Sequence, residues 1–337
     1  MTPLLEIPEC PTAEPPLFGL EHPWLAPLAG YSDLPFRLLC RELGAAVCET
    51  EMISAKGLFH QTKRTLELLR TSPDDGPLVV QLFGGDPESV EAAAKVLRRA
   101  RFFYLDFNVG CSVRKVMRQG AGAALLGDSP RLIEIAKRLA QVATTDDGSP
   151  RGMIGFKMRL GLDKKRKVLP DLGPALEDAG ANWLALHPRY ASDGFSGEAD
   201  WEEIAKLAER VSIPVIASGD LFAARDGLRA AKISGATGVM YARGALYNPN
   251  IFGEHKLTLS GEDFEPLDKP GLAKMIGRHI ELGRLYSPEK RALVKTRSLI
   301  PRYVRNFPGV SKLRGKLCEV ADWNELDQVL AEFFSEA

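Results

Sequence analysis

A single cysteine and a group of basic residues follow one of the most apolar stretches of the chain. The run Phe102–Val109 stops at Gly110, and Cys111 lies on the turn that comes next. The basic residues behind it are Arg114, Lys115 and Arg118. A buried strand that ends in a thiol beside positive charge is suited to chemistry on an anionic partner. The alternative is a structural cysteine next to a solvated basic loop.

Other apolar runs also end in side chains that can bind or react, which favours the functional interpretation. These residues are Gln81, Asn108, Lys157, Arg159, His187 and Arg189. The carboxyl ends of parallel strands meet at one edge of a barrel, so a parallel sheet would bring them together. Any one of them alone is weak evidence, because a lone lysine or histidine is usually a rim charge or a satisfied structural group.

Turns of small residues occur at three further run ends. The turn Ala26–Gly30 lets a flat ligand approach the backbone. The last two runs end in Ser218, Gly219 and Asp220, and in Ala242, Arg243 and Gly244. Small-residue turns with an arginine after the last two strands form a common phosphate site in (β/α)₈ barrels.

Eight apolar runs at regular spacing could supply these strand ends. They are Trp24–Leu28, Ala46–Cys48, Leu78–Phe83, Phe103–Val109, Met153–Met158, Trp183–His187, Pro214–Ser218 and Gly238–Tyr241. Segments with apolar residues at helical spacing lie between them, for example Pro87–Arg99, Arg131–Val142 and Trp201–Val211. Alternating strands and helices predict an α/β fold, a (β/α)₈ TIM barrel with a parallel sheet.

The chain is predicted to have three parts. Residues 1–19 are rich in proline and read as a loosely ordered lead-in, and residues 20–260 form the barrel. The polar segment 260–268 reads as a linker, and four helical patterns follow at 270–286, 289–305, 311–319 and 323–335. Residues 266–337 are therefore expected to form a small all-helical C-terminal domain.

Positive charge is concentrated in this C-terminal part. The formal net charge of the chain is zero, but residues 270–320 carry twelve Lys and Arg against three Asp and Glu. Such segregation indicates a surface for a polyanion such as RNA, although exposed faces of ordinary surface helices would give the same count.

Composition excludes several other classes of protein. Five cysteines without a CxxC pair argue against a disulfide framework and a structural zinc site, and no metal site is predicted. Cys40, Cys48 and Cys318 lie among apolar neighbours and are expected in the core. The sequence has no apolar run long enough for a membrane span and no signal-peptide pattern. A cytoplasmic protein without a membrane partner is expected.

Six segments in order resemble the tRNA-dihydrouridine synthase family, and its bacterial DusB-like branch most closely. They are APLAGYSDLPFR (26–37), VQLFGGDPE (80–88), DFNVGCSVRKVMRQGAGAALL (106–126), GFKMRLG (155–161), SGEADW (196–201) and MYARGALYNPNIF (240–252). The resemblance covers roughly residues 24–255 and continues more weakly through the basic tail. It implies an FMN-dependent barrel with a helical RNA-binding domain.

The resemblance also implies how the cofactor is held. The backbone at Pro27, Leu28 and Ala29 and the side chains of Gln81, Lys157 and His187 would bind the isoalloxazine and ribityl parts of FMN. The phosphate end would be bound by Ser218, Gly219, Asp220, Ala242, Arg243 and Gly244. NADPH is expected as the reductant.

The implied reaction reduces the C5=C6 bond of uridines in tRNA. Cys111 would be the general acid, because a thiol with an ordinary pKa near 8.5 is protonated at pH 7 and still acidic enough to give up its proton. Asn108 would help to seat the uracil. Phosphate contacts are expected from Arg114, Lys115, Arg189, Lys295, Arg297 and Arg302. A loop uridine would be flipped out of the RNA, and a monomer without an obligate protein partner is expected.

The chain departs from the family pattern at three places. Ser112 stands where family members usually have proline, Pro188 follows His187 where they have glycine, and Ser218 replaces an asparagine. These changes bear on how the substrate is positioned. Three other readings stay open: the same chemistry on ribosomal RNA, an FMN barrel acting on a free pyrimidine, and a non-catalytic RNA-binding barrel.

Overall fold

Nine parallel strands form the centre of the protein. The computed structural model describes residues 7–144, 151–169 and 171–335. The strands are β1 (Trp24–Leu25), β2 (Val47–Glu49), β3 (Ile53–Ser54), β4 (Leu78–Phe83), β5 (Tyr104–Val109), β6 (Met153–Gly161), β7 (Trp183–Tyr190), β8 (Val215–Ser218) and β9 (Gly238–Tyr241). β1 pairs with both β2 and β9, and β2 pairs with β4, so the sheet closes on itself.

The barrel has eight strand positions because β2 and β3 share one of them. Both pair with β4, β2 through Cys48 and Glu49 and β3 through Ile53 and Ser54. The short break between them, residues 50–52, faces the carboxyl end of the barrel. The predicted (β/α)₈ barrel is confirmed, and the second strand differs from the prediction in having this break.

Fifteen α-helices lie within the described residues. They are α1 (Leu34–Glu42), α2 (Ala55–Phe59), α3 (Lys63–Glu67), α4 (Pro87–Arg99), α5 (Arg114–Met117), α6 (Ser129–Ala143), α7 (Leu172–Asp178), α8 (Glu202–Ala208), α9 (Ala224–Ser234), α10 (Arg243–Tyr247), α11 (Ile251–Ser260), α12 (Lys269–Tyr286), α13 (Glu289–Tyr303), α14 (Val310–Glu319) and α15 (Trp323–Ser335). Several begin at an aspartate that accepts a backbone N–H, as Asp86 does for α4 and Asp268 for α12.

Aromatic side chains close the amino end of the barrel. Phe18, Trp24 and Trp183 pack with ring centroids 5.6 to 5.9 Å apart. The segment before β1 is hydrogen-bonded to this end of the barrel. Tyr104 Oη donates to Ala13 O at 2.8 Å, and Trp24 Nε1 donates to Leu17 O at 2.9 Å. These contacts hold Ala13, Leu17 and Phe18 against the amino end of the barrel, where Phe18 adds to its apolar cover.

Helices α12 to α15 follow the barrel at the predicted places, each within two residues of the predicted ends. One of their contacts with the barrel is at α1, where Arg278 of α12 pairs with Glu42 at 2.7 Å. Cys40 and Cys48 are buried as expected, whereas Cys318, also predicted in the core, is exposed on α14. No helix among the described residues combines the length and apolar character needed to cross a bilayer.

Candidate active site

A cleft of about 280 Å³ opens at the carboxyl ends of the barrel strands. Most of the predicted site residues line it: Pro27, Leu28, Ala29, Gln81, Asn108, Cys111, Lys157, His187, Ser218, Gly219, Asp220, Ala242 and Arg243. The predicted residues placed elsewhere are Gly244, Arg114, Lys115, Arg189, Lys295, Arg297 and Arg302. The strand ends named from the sequence therefore meet at one cleft.

The turn that carries Cys111 is fixed by the side chain of Asn108. Asn108 Oδ1 accepts from the backbone N–H of Gly110 at 3.2 Å and of Cys111 at 2.9 Å. The carbonyl oxygen of Cys111 accepts from Ala123 N at 3.0 Å. Three hydrogen bonds thus hold the thiol-bearing residue at the edge of the cleft, where Cys111 is half-buried.

Two more residues support this turn from outside. Gly122 has φ +61°, and a Cβ atom there would lie 2.6 Å from Cys111 O, so only glycine fits. Arg159, which is buried, donates from Nε to Gly110 O at 3.0 Å and from Nη1 to Tyr190 O and Gly194 O at 2.9 Å. Arg159 therefore ties the Cys111 turn to the loop after β7.

Hydrogen bonds in the floor of the cleft connect four side chains. Gln81 Oε1 accepts from Asn108 Nδ2 at 2.7 Å, and Gln81 Nε2 donates to Asp106 Oδ2 at 2.7 Å and to Glu49 Oε2 at 3.5 Å. The amide of Gln81 was expected at the cofactor. It is only 1% exposed, and the protein itself uses both its oxygen and its nitrogen.

Burial and mutual repulsion shape the charges in the cleft. Burial lowers the pKa of Lys157, and Arg159 lowers it further, while Glu49 and Asp106 act in the opposite direction. Burial, together with Lys157 and three nearby arginines, lowers the pKa of His187 to about 2. His187 is therefore neutral at pH 7. Its Nε2 lies 3.1 Å from Arg189 Nη1, which can only donate, so the ring proton is on Nδ1.

Asp220 organises the part of the cleft where a phosphate site was predicted. It accepts from Arg189 Nη1 at 2.8 Å, from Arg243 Nη2 at 3.0 Å and from Ala199 N at 2.8 Å. Burial alone would raise the pKa of Asp220, but the hydrogen bonds from Arg189 and Ala199 and the two positive charges lower it below its ordinary value. The carboxylate thus holds Arg243 at the cleft.

Arg189, expected at the substrate, and Gly244, expected at the cofactor phosphate, both contact protein groups next to the cleft. The Arg189 side chain is 2% exposed and also donates to Ser196 O at 3.1 Å. Its partners are protein groups, and through them Arg189 supports Asp220. A Cβ atom on Gly244 would lie 2.3 Å from Leu221 O, so this glycine allows α10 to pack closely behind the cleft.

Exposed apolar side chains surround the mouth of the cleft. Phe195 is 63% exposed, Val113 59% and Phe222 38%. The guanidinium of Arg243 lies between two of the rings, 4.5 Å from the centroid of Phe195 and 4.9 Å from that of Phe222. This rim combines flat apolar faces with positive charge, which suits stacked, anionic ligands such as nucleotides.

The predicted phosphate-binding residues fall into two groups. Arg114 and Lys115 are exposed on α5, immediately after the Cys111 turn. Lys295, Arg297 and Arg302 of α13 have partners inside the protein. Lys295 Nζ lies 2.7 Å from Asp33 and 3.2 Å from Glu51, Arg297 donates to Val320 O, and Arg302 donates to Tyr31 Oη at 3.0 Å. The sequence did not reveal these partners, which are distant along the chain.

Several residues of the site were not predicted. Glu49 and Asp106 are both 0% exposed. Asp106 lies in the middle of an apolar run, which was a signal that could have found it, whereas Glu49 follows a run and is succeeded by further polar residues. Phe195 and Phe222 lie in loops, where neither spacing nor neighbours distinguish a rim residue. Met52 lies in the break between β2 and β3 and also lines the cleft.

These features define an enzyme of the (β/α)₈ class, with its cleft at the carboxyl ends of the strands and a thiol at the cleft edge. Residues 24–337 match the dihydrouridine synthase (Dus) family. The chain belongs to this family, and the family membership predicted from the six segments is confirmed.

Relatives of known name are similar over most of the chain. A probable tRNA-dihydrouridine synthase of Mycobacterium tuberculosis (strain ATCC 25618 / H37Rv) is 35% identical over 318 residues, covering 91% of this chain and 80% of that protein. The tRNA-dihydrouridine synthase B of Pseudomonas aeruginosa is 30% identical, covering 93% and 92%. A probable tRNA-dihydrouridine synthase of Aquifex aeolicus is 32% identical, covering 91% and 94%.

Proposed function

We propose that this protein reduces the C5=C6 bond of specific uridines in tRNA to give 5,6-dihydrouridine, with FMN as cofactor and NADPH as reductant. The observation that carries the proposal is the cleft itself. It brings Cys111 together with Lys157, His187 and Arg243 in a chain of the dihydrouridine synthase family. The tRNA substrate is taken from the names of the relatives.

The cleft suits FMN on chemical grounds. Gly219 has φ +102°, and a Cβ atom there would lie 2.6 Å from His187 Cδ2, so this glycine lets the His187 ring pack against the turn in the cleft wall. Arg243, held by Asp220, supplies a cation for the phosphate. Lys157 and the neutral His187 supply donors for the heterocycle and the ribityl chain, and Pro27, Leu28 and Ala29 supply a flat wall. Ser218 donates its hydroxyl proton to Met240 O, so this proton is not available to a phosphate.

The chain's own residues provide the proton half of the reaction. FMN, when bound and reduced, supplies the hydride that the uracil receives at C6. Cys111 holds the proton for C5 on its thiol: a C5–H bond forms, the S–H bond breaks, and solvent later returns a proton to the thiolate. Asn108 and Arg159 keep the thiol in place through the turn that they bind.

Negative charge that develops on the uracil carbonyl also needs donors. One N–H of Asn108 is used by Gln81, and the other points to Met52 Sδ at 4.0 Å, a weak acceptor. That second N–H is available for a uracil carbonyl in the cleft. The ammonium group of Lys157 provides a positive charge in the same cavity, where low dielectric strengthens its effect.

Exposed basic residues are the candidates for holding the RNA. Arg114, Lys115 and Arg118 lie beside the cleft, and Lys290, Arg305 and Arg314 are exposed on or next to α13 and α14. A uridine in folded RNA must leave its stack to enter the cleft, at a cost of a few kcal/mol. Phosphate contacts from these residues, together with stacking on the aromatic rim, would offset that cost.

The test is a reconstituted assay with mapping of the product. Purified protein, FMN and NADPH would be incubated with unmodified tRNA, ribosomal RNA or free uridine, and dihydrouridine would be measured by mass spectrometry. We expect product in tRNA at discrete positions. Product only in ribosomal RNA or only in free uridine would replace the proposed substrate. No product with any of the three would contradict the proposed reaction.

A further inference from the structure

Two carboxyl groups lie in the floor of the cleft and have no part in the proposed mechanism. Glu49 ends β2, Asp106 is in the middle of β5, and both are 0% exposed. Both face the same nitrogen, Gln81 Nε2. Within the described residues, Glu49 Oε1 and Asp106 Oδ1 have no hydrogen-bond partner. Buried carboxyl oxygens without partners call for a chemical explanation.

The hydrogen bonds between the floor and the Cys111 turn run in one direction. The backbone N–H groups of Gly110 and Cys111 can only donate, so they require the oxygen of Asn108. Asn108 must then offer its NH₂ to Gln81, and Gln81 must offer its NH₂ to Asp106. The carboxyl at the end of this series fixes the orientation of both amides. The Cys111 turn thus depends on an acceptor that lies two side chains away.

The charges around the two carboxyls favour a single negative charge. Lys157 of β6 is the cation that acts on them, Gln81 of β4 is uncharged, and His187 of β7 is neutral. Burial raises the pKa of Asp106 to about 7, and burial together with Asp106 raises that of Glu49 well above its usual range. One carboxylate balances Lys157, whereas two would leave an excess negative charge in a medium of low dielectric.

We propose that Glu49 and Asp106 are a one-proton carboxyl pair that positions the Cys111 turn through Gln81 and Asn108. Asp106 ionises first and Glu49 keeps the proton of the pair, and Asp106 is the acceptor for Gln81. Both are positioning residues, since they act through the amides. This inference goes beyond the proposed function. Because it is tested without measuring turnover, either of the two can fail while the other holds.

The first test is the pH dependence of unfolding of Glu49→Gln. A carboxyl whose pKa is raised in the fold releases its proton on unfolding once the pH exceeds its unfolded pKa, near 4.3. Its stabilising effect is therefore complete at low pH and is lost as the pH rises. The unfolding constant of the wild type should rise relative to that of Glu49→Gln by up to about tenfold per pH unit from pH 5 to 7. If the unfolding constants of the wild type and Glu49→Gln depend on pH in the same way, the proposed one-proton pair is wrong.

Glu203→Gln is the matched control for this titration. Glu203 is also little exposed, but hydrogen bonds from Lys167 and Lys206 overcome its burial and lower its pKa. It is therefore ionised in folded and unfolded protein at pH 5 to 7, and its replacement should leave the pH dependence in this range unchanged. If Glu49→Gln folds poorly, Glu49→Met serves instead, because it also removes the proton while keeping an apolar volume.

The second test measures the position of Cys111 by its rate of alkylation. A Cys318→Ser background removes the exposed cysteine, leaving Cys10, Cys40 and Cys48 buried. Asp106→Leu removes the acceptor of the hydrogen bond from Gln81. It should change the alkylation rate of Cys111 about tenfold, which corresponds to the free energy of one hydrogen bond. Asp106→Asn keeps an acceptor oxygen and should restore the rate. If Asp106→Leu does not fold, Gln81→Met breaks the same series. A rate unchanged from wild type in both would refute the positioning role.

Discussion

Cys111 is the side chain on which the proposed reaction depends most. Its turn is held by Asn108, Arg159 and the packing at Gly122, none of which requires the sulfur atom. Cys111→Ala should therefore fold and retain yellow cofactor. It should lose about 10²- to 10⁴-fold in turnover on tRNA, the usual contribution of a general acid. Single-turnover absorbance and product analysis would measure both.

Cys318→Ser is the matched control for this loss, because Cys318 is exposed on α14, outside the cleft. It should keep full activity. Retained turnover in Cys111→Ala would remove the general-acid role while leaving the family assignment intact. Loss of the cofactor would instead show that the cysteine has a structural part in the cleft.

Asp220 stabilises the fold as well as the cleft, because it is the carboxylate partner of the buried Arg189. Asp220→Asn should cost about 3 kcal/mol in urea unfolding at pH 7, since it leaves a buried guanidinium without its counter-charge. The pKa of Asp220 is lowered in the fold, so the stabilising effect is present above the ordinary aspartate pKa and is lost as the pH falls through the folded pKa. The difference between the two proteins should shrink accordingly in acid.

Asp163→Asn provides the comparison. Asp163 also pairs with an arginine, Arg166, but that arginine is 65% exposed. Exposed pairs contribute little to stability, so no measurable change is expected. Equal losses in the two variants would mean that burial of Arg189 does not determine the effect.

The turn formed by residues 120–122 acts as a unit that supports the Cys111 loop. Gly122→Ala would place a Cβ atom 2.6 Å from Cys111 O, so the loop must move. A displacement of about 1 Å at a reacting group costs on the order of 100-fold in turnover. We therefore expect a large fall in kcat, measured on tRNA at saturating NADPH.

Gly235→Ala separates this clash from backbone strain. Gly235 ends α9 with φ +63°, close to the +61° of Gly122, but a Cβ atom there meets nothing within 4 Å. Both variants should lose about 1 to 2 kcal/mol of stability from the left-handed conformation. Only Gly122→Ala should lose turnover, and a similar loss in Gly235→Ala would assign the effect to instability.

Elements with a strong local pattern could be predicted from the sequence. Leu78–Phe83 and Pro87–Arg99 were predicted with the bounds that β4 and α4 have, because continuous apolar runs and helical spacing are local properties. The break between β2 and β3 was not predicted. Residues 49–52 (ETEM) place three polar residues in succession before Met52, and only the pairing of Ile53 with Leu82 shows that the strand resumes.

The sequence predicts which residues line the cleft where these residues follow strand ends. It does not predict contacts between residues that are distant along the chain. Lys157 and His187 follow apolar runs, so the barrel brings them to the cleft. Lys295 was predicted to bind RNA because it lies in a basic segment. Its partners Asp33 and Glu51 are more than 240 residues away in sequence, and no local pattern could reveal them.

The helices after the barrel are joined to the cleft through α13. Glu51, the partner of Lys295, also accepts from Gly30 N at 2.5 Å, next to the turn that walls the cleft. Arg302 stacks on Tyr31 in the same turn, 5.3 Å from the ring centroid. Basic residues of this region therefore have two uses: some hold α13 against the barrel, and others remain exposed.

This division leads to a prediction for RNA binding by the whole molecule. Lys290 and Arg314 are exposed, whereas Lys295 is 17% exposed and paired with two carboxylates. Lys290→Ala and Arg314→Ala should each weaken tRNA binding at all sequences and reduce the slope of log K against log salt by about 1, as expected for the loss of one phosphate contact. Lys295→Ala should leave that slope unchanged and lower the unfolding midpoint. Filter binding over a range of salt concentrations and thermal unfolding would measure the two effects. A reduced slope in Lys295→Ala, with Lys290→Ala and Arg314→Ala unchanged, would place the RNA on the opposite side of α13.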